Sequence, residues 1–446
     1  NNVAPRFGFA YQVGKSTVLR GGAGIFYAPS LRAAGGTVGN FGYRSDTQLI
    51  SMPDGVTPTN YLRNPFPDGL TPVVGNTQGL LTAIGSSISA SLRGDSVVPY
   101  TENWSFNLQR QFPGNLLVEA GYVGSHGLHL TQTGEGTANL NQLTGDQLKL
   151  GTQLQQQVRN PFLGLITAGP LAAATIPQSF LLRLHPQFTT VNPLYMTGAS
   201  SIYHSFQLKM EKRFTNGLSL LVSYTNAKLI DDFSIISNLG RNANMQNLWD
   251  RKNERAVSSN DISQRFIGSF VYAVPIGRGR RVGGDMHRAV DAVLGGWQMN
   301  GIVTFESGDA LAITMTNSLS SIAGNNVLRP NNTGRSARID GSVKDRLLRY
   351  FDISQFTAPA PFTYGNTGRT LPDVRGPGLK NLDFSLFKNF RIVERVSLQF
   401  RAESFNLTNT PSFSDPNQNY SVAAFGQITG TSNIARQVQF GLKLLW

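Results

Sequence analysis

The sequence predicts an all-β protein, namely an antiparallel, up-and-down segment of a transmembrane β-barrel with about eleven long strands. Three observations predict it. Polar and apolar residues alternate over long stretches, short and long connections alternate between those stretches, and the composition is unusual. Of the 446 residues, 15% are charged and 10% are aromatic, and 47 are glycine. Soluble domains carry roughly 25% charged residues.

The composition also excludes several classes of protein. The chain has no cysteine, which excludes a disulfide scaffold, thiolate metal sites and cysteine nucleophiles. No apolar stretch is long enough for a transmembrane helix. The net charge is +13, but the basic residues are scattered, so nucleic acid is not an expected partner. The chain begins without Met or a signal peptide, and we expect it to be part of a longer protein.

Each strand is predicted by alternation with a period of two residues. From Phe206 to Glu211, apolar side chains alternate with glutamine, lysine and glutamate. Such segments are roughly 10–13 residues long, the length of a tilted strand that crosses a membrane. They lie near 4–13, 16–28, 102–112, 115–126, 201–214, 217–229, 262–274, 296–308, 379–390, 395–408 and 435–446.

The connections between these strands alternate in length. Tight turns are predicted at 13–16, 112–115, 214–217 and 390–395, and the connection at 275–295 is of medium length. Long connections are predicted at 29–101, 128–200, 230–261, 309–378 and 409–434. In an antiparallel meander every second connection lies on the same side of the sheet. This arrangement is typical of an outer-membrane barrel with short periplasmic turns and long external loops.

Alternation alone does not decide whether the apolar face meets a soluble core or lipid. Aromatic residues near strand ends, such as Trp104, Tyr122 and Trp297, resemble the girdles at membrane interfaces. We therefore expect a convex, lipid-facing side that includes Phe206, Leu208, Met210, Leu220, Val222 and Phe384. We expect a concave side that includes Gln207, Lys209, Glu211, Ser219 and Ser385. An arc of eleven strands keeps two unpaired edges, so we expect an open, curved sheet rather than a closed barrel.

Several segments together resemble one known family. They are Pro5 to Tyr11, Leu19 to Gly22 with Phe26 and Tyr27, Gly121 to Gly127, Tyr203 to Ser205 with Leu218 to Lys228, Gly295 to Gln298, and Phe400 to Thr408. In their order and spacing, the chain resembles the C-terminal half of a TonB-dependent outer-membrane receptor of the Oar-like group. The final segment, Val438 to Trp446, resembles the C-terminal signal that the barrel-assembly machinery reads.

The resemblance implies a barrel of about 22 strands that is filled by an N-terminal plug carrying a box for TonB, the periplasmic energy coupler. Residues 1–446 would be the C-terminal portion of that barrel, without the plug and the N-terminal region, and this portion alone should not transport. Lumen-facing residues would contact the plug rather than form a substrate site. We expect these to be Arg6, Gln12, Lys209, Glu211, Arg213, Gln399, Arg401 and Glu403.

Few residues are candidates for a chemical site, and we predict no catalytic, cofactor or metal site. His126 and His129 are interpreted as two loop histidines. Asp231, Asp232 and the segment Asp250 to Glu254 offer oxygen ligands for Ca²⁺ but lack the spacing of a calcium loop. Gly21 to Gly24 lacks the Lys-Ser/Thr of a phosphate loop, and we interpret it as permitting a bend or a close approach of the plug.

Two connections carry further features. Arg278 to Arg281 lies in the medium periplasmic turn, where it is either solvated or in contact with acidic headgroups. Leu143 to Val158 is expected to form a short helix that packs its loop down.

The expected function is energised transport of a large or scarce solute across the outer membrane of a Gram-negative-type envelope. The alternative is a structural or adhesive surface barrel. A plug with a TonB box would favour transport, and its absence would favour adhesion. A secreted hydrolase is disfavoured because no motif of a known catalytic type occurs in a suitable context, so the chain is not expected to be an enzyme. The sequence does not indicate the substrate.

Overall fold

The structure, a computed structural model, describes residues 2–28, 42–43, 61–67, 69–70, 72–91, 97–131, 138–166, 171–194, 196–215, 217–234, 244–325, 327–393 and 396–446. Eleven long strands pair in chain order, each antiparallel to the next. We number them β1 (Arg6–Val13), β2 (Thr17–Tyr27), β3 (Tyr100–Phe112), β4 (Leu116–Thr131), β5 (Thr197–Thr215), β6 (Leu218–Asp231), β7 (Gln264–Ala273), β8 (Trp297–Glu306), β9 (Leu379–Val393), β10 (Val396–Phe405) and β11 (Gln437–Leu445). The predicted fold class and strand order are confirmed.

The sheet departs from the prediction mainly at the pair of strands β4 and β5. β4 continues to Thr131 and β5 begins at Thr197, beyond the predicted limits at 126 and 201. The register between these strands shifts after Gly127, and His129 has a φ of 52°. Such an irregularity is a β-bulge, which lets pairing continue past a local bend. A two-residue strand, Ala256–Val257, also adds to β6 and makes the sheet 12-stranded.

The sheet is open, as expected. In the described part of the chain, β1 pairs only with β2 and β11 pairs only with β10. Every residue of both edge strands is exposed. Each edge therefore keeps a row of backbone groups that no strand of the described chain satisfies.

The tight turns lie on one side of the sheet. The first two use residues with positive φ, at Gly14 (66°), Gly114 (79°) and Asn115 (60°), a conformation that glycine and asparagine tolerate. Asn216 in the third turn and residues 394–395 in the fourth lie outside the described residues. The medium connection between β7 and β8 is on the same side and contains a helix that the sequence did not predict.

The long connections contain short elements. Among the described residues the α-helices are α1 (Gly145–Leu148), α2 (Gln178–Leu181), α3 (Arg288–Leu294, in the medium connection) and α4 (Ser320–Ala323). The 3-10 helices are Gly79–Leu81, Gly151–Gln155, Arg251–Glu254, Val343–Arg346 and Ile353–Gln355. Small sheets pair Ser87–Ser91 with Thr190–Leu194, Gln157–Arg159 with Thr175–Pro177, and Asn331–Asn332 with Phe356–Thr357. No helix in the described ranges has both the length and the apolarity needed to cross a membrane.

The helix predicted over 143–158 is two short turns. α1 begins with a reciprocal capping box between Thr144 and Gln147, and a 3-10 turn follows at Gly151, whose φ is 57°. A left-handed residue cannot continue an α-helix, so α1, which ends at Leu148, cannot extend through Gly151. Leu148 and Leu154 are buried, which fits the expected packing role, but Leu150 is exposed.

The hydrophobic core lies in the long connections rather than in the sheet. Four clusters of buried apolar residues occur in the described chain, one of them around Leu311, Phe351 and Phe425. The second includes Leu140 and Phe188. They join the described residues of 72–97, 138–194, 232–263, 307–378 and 406–436, and we call these described residues the loop block. The long connections therefore pack together as a folded unit on one side of the sheet.

Candidate functional site

The register of the sheet separates its two faces. Leu208 lies opposite Ala120 and Tyr224, whereas Gln207 lies opposite Gly121 and Thr225. Side chains of directly paired residues point to the same face of a sheet. All the residues expected on the lipid side therefore share one face, and all those expected on the concave side share the other. The predicted segregation of apolar and polar residues is confirmed.

The eight residues predicted to face the lumen all lie on the polar face, but they do not form one cluster. Glu211 bridges Lys209 at 3.5 Å and Arg213 at 3.4 Å. Arg401 donates to Gln399 at 2.6 Å, and Gln439 donates to Glu403 at 2.6 Å. Arg6 and Gln12 lie at the opposite edge, in β1. These polar residues form several short chains of contacts across the wall rather than one binding site.

The polar face also carries an apolar recess that the sequence analysis missed. Its volume is about 350 Å³, and its lining includes Leu221, Val271, Ile302 and Phe405, all of which are exposed. These four residues occur where the alternation predicts polar side chains. Their exposure on a face otherwise lined by Ser, Asn and carboxylates is typical of a surface that contacts a partner.

The two histidines are not loop residues, and this interpretation was wrong. Both lie within β4, because the strand continues past the predicted end. His126 Nδ1 lies 3.3 Å from the carboxylate of Glu102 on β3. His129 packs beside Tyr100, with ring centroids 5.9 Å apart. Within the ranges the structure describes, no three His, Asp or Glu residues are grouped so that they could hold a metal ion.

The glycines of β2 permit the close approach of a neighbouring strand. A Cβ at Gly21 would meet the Phe9 ring at 2.5 Å, and one at Gly22 would meet the carbonyl oxygen of Phe7 at 3.0 Å. Among the described residues, the element that approaches here is β1, and a close approach of a plug stays a prediction.

The acidic residues considered for Ca²⁺ have other partners, so they do not meet around one ion. Asp231 pairs with Arg369, and Asp232 pairs with Arg251 at 2.6 Å. Glu254 pairs with Arg329 at 2.6 Å. The other residues of that segment include Asp250, which accepts a hydrogen bond from Asn253.

Arg369 is the centre of a buried polar network in the loop block. The residue is 1% exposed. Besides Asp231, it donates to the hydroxyl of Ser234 and to the backbone oxygen of Glu254 at 2.9 Å. Arg375 forms a similar pair with Asp261, which is buried. These contacts join the 307–378 connection to the 232–263 connection, so the two connections stabilise each other.

The pair of Arg329 and Glu254 is buried almost completely. Burial lowers the pKa of Arg329, and the Glu254 carboxylate opposes this shift. Nearby, burial raises the pKa of Tyr364 to about 12, and its hydroxyl accepts a hydrogen bond from Gln142 at 3.0 Å. One hydrogen bond joins the buried pair of Arg329 and Glu254, while Glu254 Oε2 and Arg329 Nε and Nη1 have no partner among the described residues.

A cleft of about 650 Å³ opens in the loop block beside α2 and α4. Arg183, which is buried, lies under the Phe180 ring at 3.7 Å from its centroid and donates to the backbone oxygens of Thr189 and Ser321. Burial lowers the pKa of Arg183 to about 10, and no carboxylate of the described residues pairs with it. Three lining residues have a buried polar atom without a partner in the described chain: Arg183 Nε, Ser179 Oγ and Asn325 Oδ1.

Neither the network nor the cleft was predicted from the sequence. Asp231 and Arg369 are 138 residues apart, and no local spacing connects them. The distribution of charge was an indication of the network. The chain has few charged residues, and acidic residues occur in the long connections as well as on the polar face. The lining of the cleft carried no such signal, since serine, threonine and amides are ordinary loop residues.

A family model described as "Outer membrane beta barrel domain" matches residues 1–439. The chain belongs to this family. As an outer membrane β-barrel domain, it lies in the outer membrane with its apolar face toward lipid and its polar face toward the lumen. Barrels of this kind have short periplasmic turns, so the tight-turn side and α3 face the periplasm and the loop block faces the outside.

Solved structures that match the chain include outer-membrane transporters and receptors. The outer membrane transporter YddB from Escherichia coli matches with a TM-score of 0.47 and 8% identity over 100% of this chain and 40% of that chain. The ferripyoverdine receptor of Pseudomonas aeruginosa matches with a TM-score of 0.40 and 8% identity over 99% of this chain and 32% of that chain. The FrpB iron transporter from Neisseria meningitidis matches with a TM-score of 0.38 and 10% identity over 100% of this chain and 39% of that chain. No curated protein matches the sequence. The domain spans less than half the length of these solved chains.

Proposed function

We propose that this domain is the C-terminal wall and the external recognition surface of an energised outer-membrane transporter of the TonB-dependent type. The observation that carries the proposal is a folded loop block with an open cleft, located above a polar lumen face. A transporter of scarce solutes needs an outer surface that selects and a polar path that follows it. Residues 1–446 combine both features on one wall.

The open edges support a larger barrel. Backbone groups that face lipid without partners cost several kcal/mol each, so β1 and β11 require further strands. We place those strands in the remainder of a barrel of about 22 strands. A plug in the lumen would cover the apolar recess at Leu221 and Phe405. On this proposal the chain alone does not transport, and the remainder of the protein supplies the TonB contact.

The cleft beside Arg183 is our candidate for the first contact with a solute. Its neutral hydroxyl and amide groups suit a polar solute, and Arg183 would attract an anionic group, because a buried cation without a carboxylate partner gains from one. The solute itself is not identified. We propose that the domain takes part in binding and passing a solute and does not act as an enzyme.

A structural or adhesive surface barrel is the second candidate. The packed clusters of the loop block favour it, because a preorganised outer surface binds a partner with little loss of conformational entropy. Adhesion would need the same lipid-facing wall but no energy coupler. The two functions therefore differ on the periplasmic side and not on the outside.

The test is binding between the full-length protein and the periplasmic domain of TonB from the same cell. The protein is purified from outer membranes in detergent and compared with a variant that lacks its first periplasmic segment. Transport predicts saturable binding that the truncation abolishes. Absence of binding by an intact, heat-modifiable barrel would contradict transport and favour adhesion.

A further inference from the structure

The helix α3 in the medium periplasmic turn has an apolar stripe that no part of the described chain covers. Val290, Val293 and Leu294 are 45%, 65% and 51% exposed, and their spacing of i, i+3 and i+4 places them on one side of the helix. Arg288 lies on the opposite side, about 160° from Val290 at 100° per residue. Exposed apolar residues grouped on one helix face indicate a surface with a partner.

The same helix is tied to the lipid-facing side of the barrel. Lys388 of β9 is buried and donates from Nζ to the backbone oxygens of Val293 at 3.0 Å and Gly295 at 2.5 Å. The indole N–H of Trp297 in β8 also donates to Val293 at 2.9 Å. Lys388 and Trp297 are directly paired across β8 and β9, on the apolar face that includes Phe384. The C-terminal end of α3 therefore lies against the outer surface of the barrel.

Basic residues lie in the turn that precedes α3 and at its first residue. Arg278, Arg280, Arg281 and Arg288 are all exposed. Asp291 accepts a hydrogen bond from the backbone of Arg278 at 2.7 Å, which ties the arginine-rich part of the turn to the helix. The connection thus combines an apolar stripe, an interfacial tryptophan and a group of cations at the periplasmic end of the wall.

We propose that α3 lies in the periplasmic leaflet of the outer membrane, with its apolar stripe among the acyl chains and its arginines at anionic phospholipid headgroups. The stripe ends at Val293 and Leu294, where hydrogen bonds from Trp297 and Lys388 to the backbone hold α3 against the lipid-facing surface, so lipid lies close to this end of the helix. An amphipathic helix with a basic polar side is the form that binds anionic membrane surfaces. Each arginine near such a surface contributes to the attraction.

Lys388 has a defined part in this arrangement. A lysine on the lipid-facing side of a barrel needs polar partners, and the carbonyl groups at the C-terminal end of α3 supply them. The same hydrogen bonds hold the helix against the wall. Lys388 is therefore a positioning residue for α3.

The test uses single cysteines, because the chain has none of its own. Val293→Cys and the matched control Arg288→Cys are made in the full-length protein, with any cysteine outside this chain changed to serine. Each is labelled with a small fluorophore and reconstituted into vesicles of phosphatidylcholine and phosphatidylglycerol that contain lipids brominated on the acyl chain. The proposal predicts several-fold stronger quenching at position 293 than at position 288.

Equal quenching at the two positions would overturn the proposal. A probe at position 293 that is shielded from water in detergent and is not quenched by brominated lipid would also overturn it, since a protein surface would then cover the stripe. Adding Lys388→Met to the Val293→Cys variant should lower the quenching toward the value at position 288. Heat-modifiability confirms that each variant has folded.

The headgroup part has its own test. Quenching at position 293 should fall when phosphatidylglycerol is replaced by phosphatidylcholine, and it should become insensitive to this replacement in an Arg280→Gln/Arg281→Gln variant. A signal that does not depend on the anionic lipid in the parent protein would overturn the role of the arginines.

Discussion

Replacing Arg369 with methionine is expected to open the loop block while leaving the barrel wall folded. The substitution removes the pair with Asp231 and the hydrogen bond to the backbone of Glu254. It keeps an apolar side chain but leaves a buried carboxylate without its cation. Removing one partner of a buried pair costs about 3–5 kcal/mol, which corresponds to an opening equilibrium that is roughly a hundredfold to several thousandfold larger.

The assay separates the loop block from the barrel. Outer-membrane vesicles are treated with protease over a range of temperatures, and cleavage in the 232–263 and 307–378 connections is followed on gels. When the opening and closing of a segment are fast, the cleavage rate follows the open population. Heat-modifiability of the same samples reports on the wall and should not change.

Arg349→Met is the matched control. Arg349 pairs with Asp352 in the same connection, but its side chain is 56% exposed, and exposed pairs contribute only about 0–1 kcal/mol. Adding Asp231→Asn to Arg369→Met should recover part of the protection, because it removes the unpaired charge. Equal protection in Arg369→Met and Arg349→Met would refute the view that the buried network holds the loop block together.

Three further predictions concern single residues. Thr144→Ala should destabilise the first turn of α1 by about 0.5–2 kcal/mol, because Thr144 accepts the backbone N–H of Gln147, and hydrogen exchange of that turn would detect it. Hydrogen bonds from Gln355, Ser354 and Arg349 lower the pKa of Asp352. The stability that Asp352 contributes is therefore complete above its usual pKa and is lost as pH falls through the lowered pKa. Asp352→Asn should flatten the acid side of a pH profile of proteolysis, and an unchanged profile would contradict this. Deleting Trp446 should reduce the yield of inserted barrel more than the stability of inserted molecules, as measured by heat-modifiability, and an unchanged yield would contradict a role in assembly.

The strands were predictable because their determinants are local. A strand between lipid and a polar lumen must alternate at every second residue, and the pattern from Phe206 to Glu211 shows it without reference to any partner. The pairing across the four tight turns also followed from the sequence, since such turns permit only antiparallel neighbours. The bulge near His129 was not predictable in this way, because pairing beyond the membrane depends on the neighbouring strand β5.

The loop block and α3 were not predictable for two different reasons. The pairing of Arg369 with Asp231 depends on the tertiary approach of two connections 138 residues apart. The helix from Arg288 to Leu294 is short, and its residues are ordinary in a turn of medium length. Its position depends on hydrogen bonds from two residues outside the helix. Lys388 is distant from it in the sequence, and Trp297 lies just beyond its C-terminal end.

The orientation of the wall is tested most directly by placing an arginine on each face of β5. Leu208 lies near the middle of the strand on the apolar face, and Gln207 is the adjacent residue on the polar face. A charge at the lipid-facing midplane should cost about 2–4 kcal/mol, and the same charge at a lumen-facing position should cost much less.

The measurement is the fraction of full-length protein that is heat-modifiable in outer-membrane fractions of cells expressing Leu208→Arg or Gln207→Arg. Lipid contact at the apolar face predicts a marked loss of folded barrel for Leu208→Arg and a yield near that of the parent for Gln207→Arg. Equal yields for the two variants, or a greater loss for Gln207→Arg, would contradict the assignment of the apolar face to lipid.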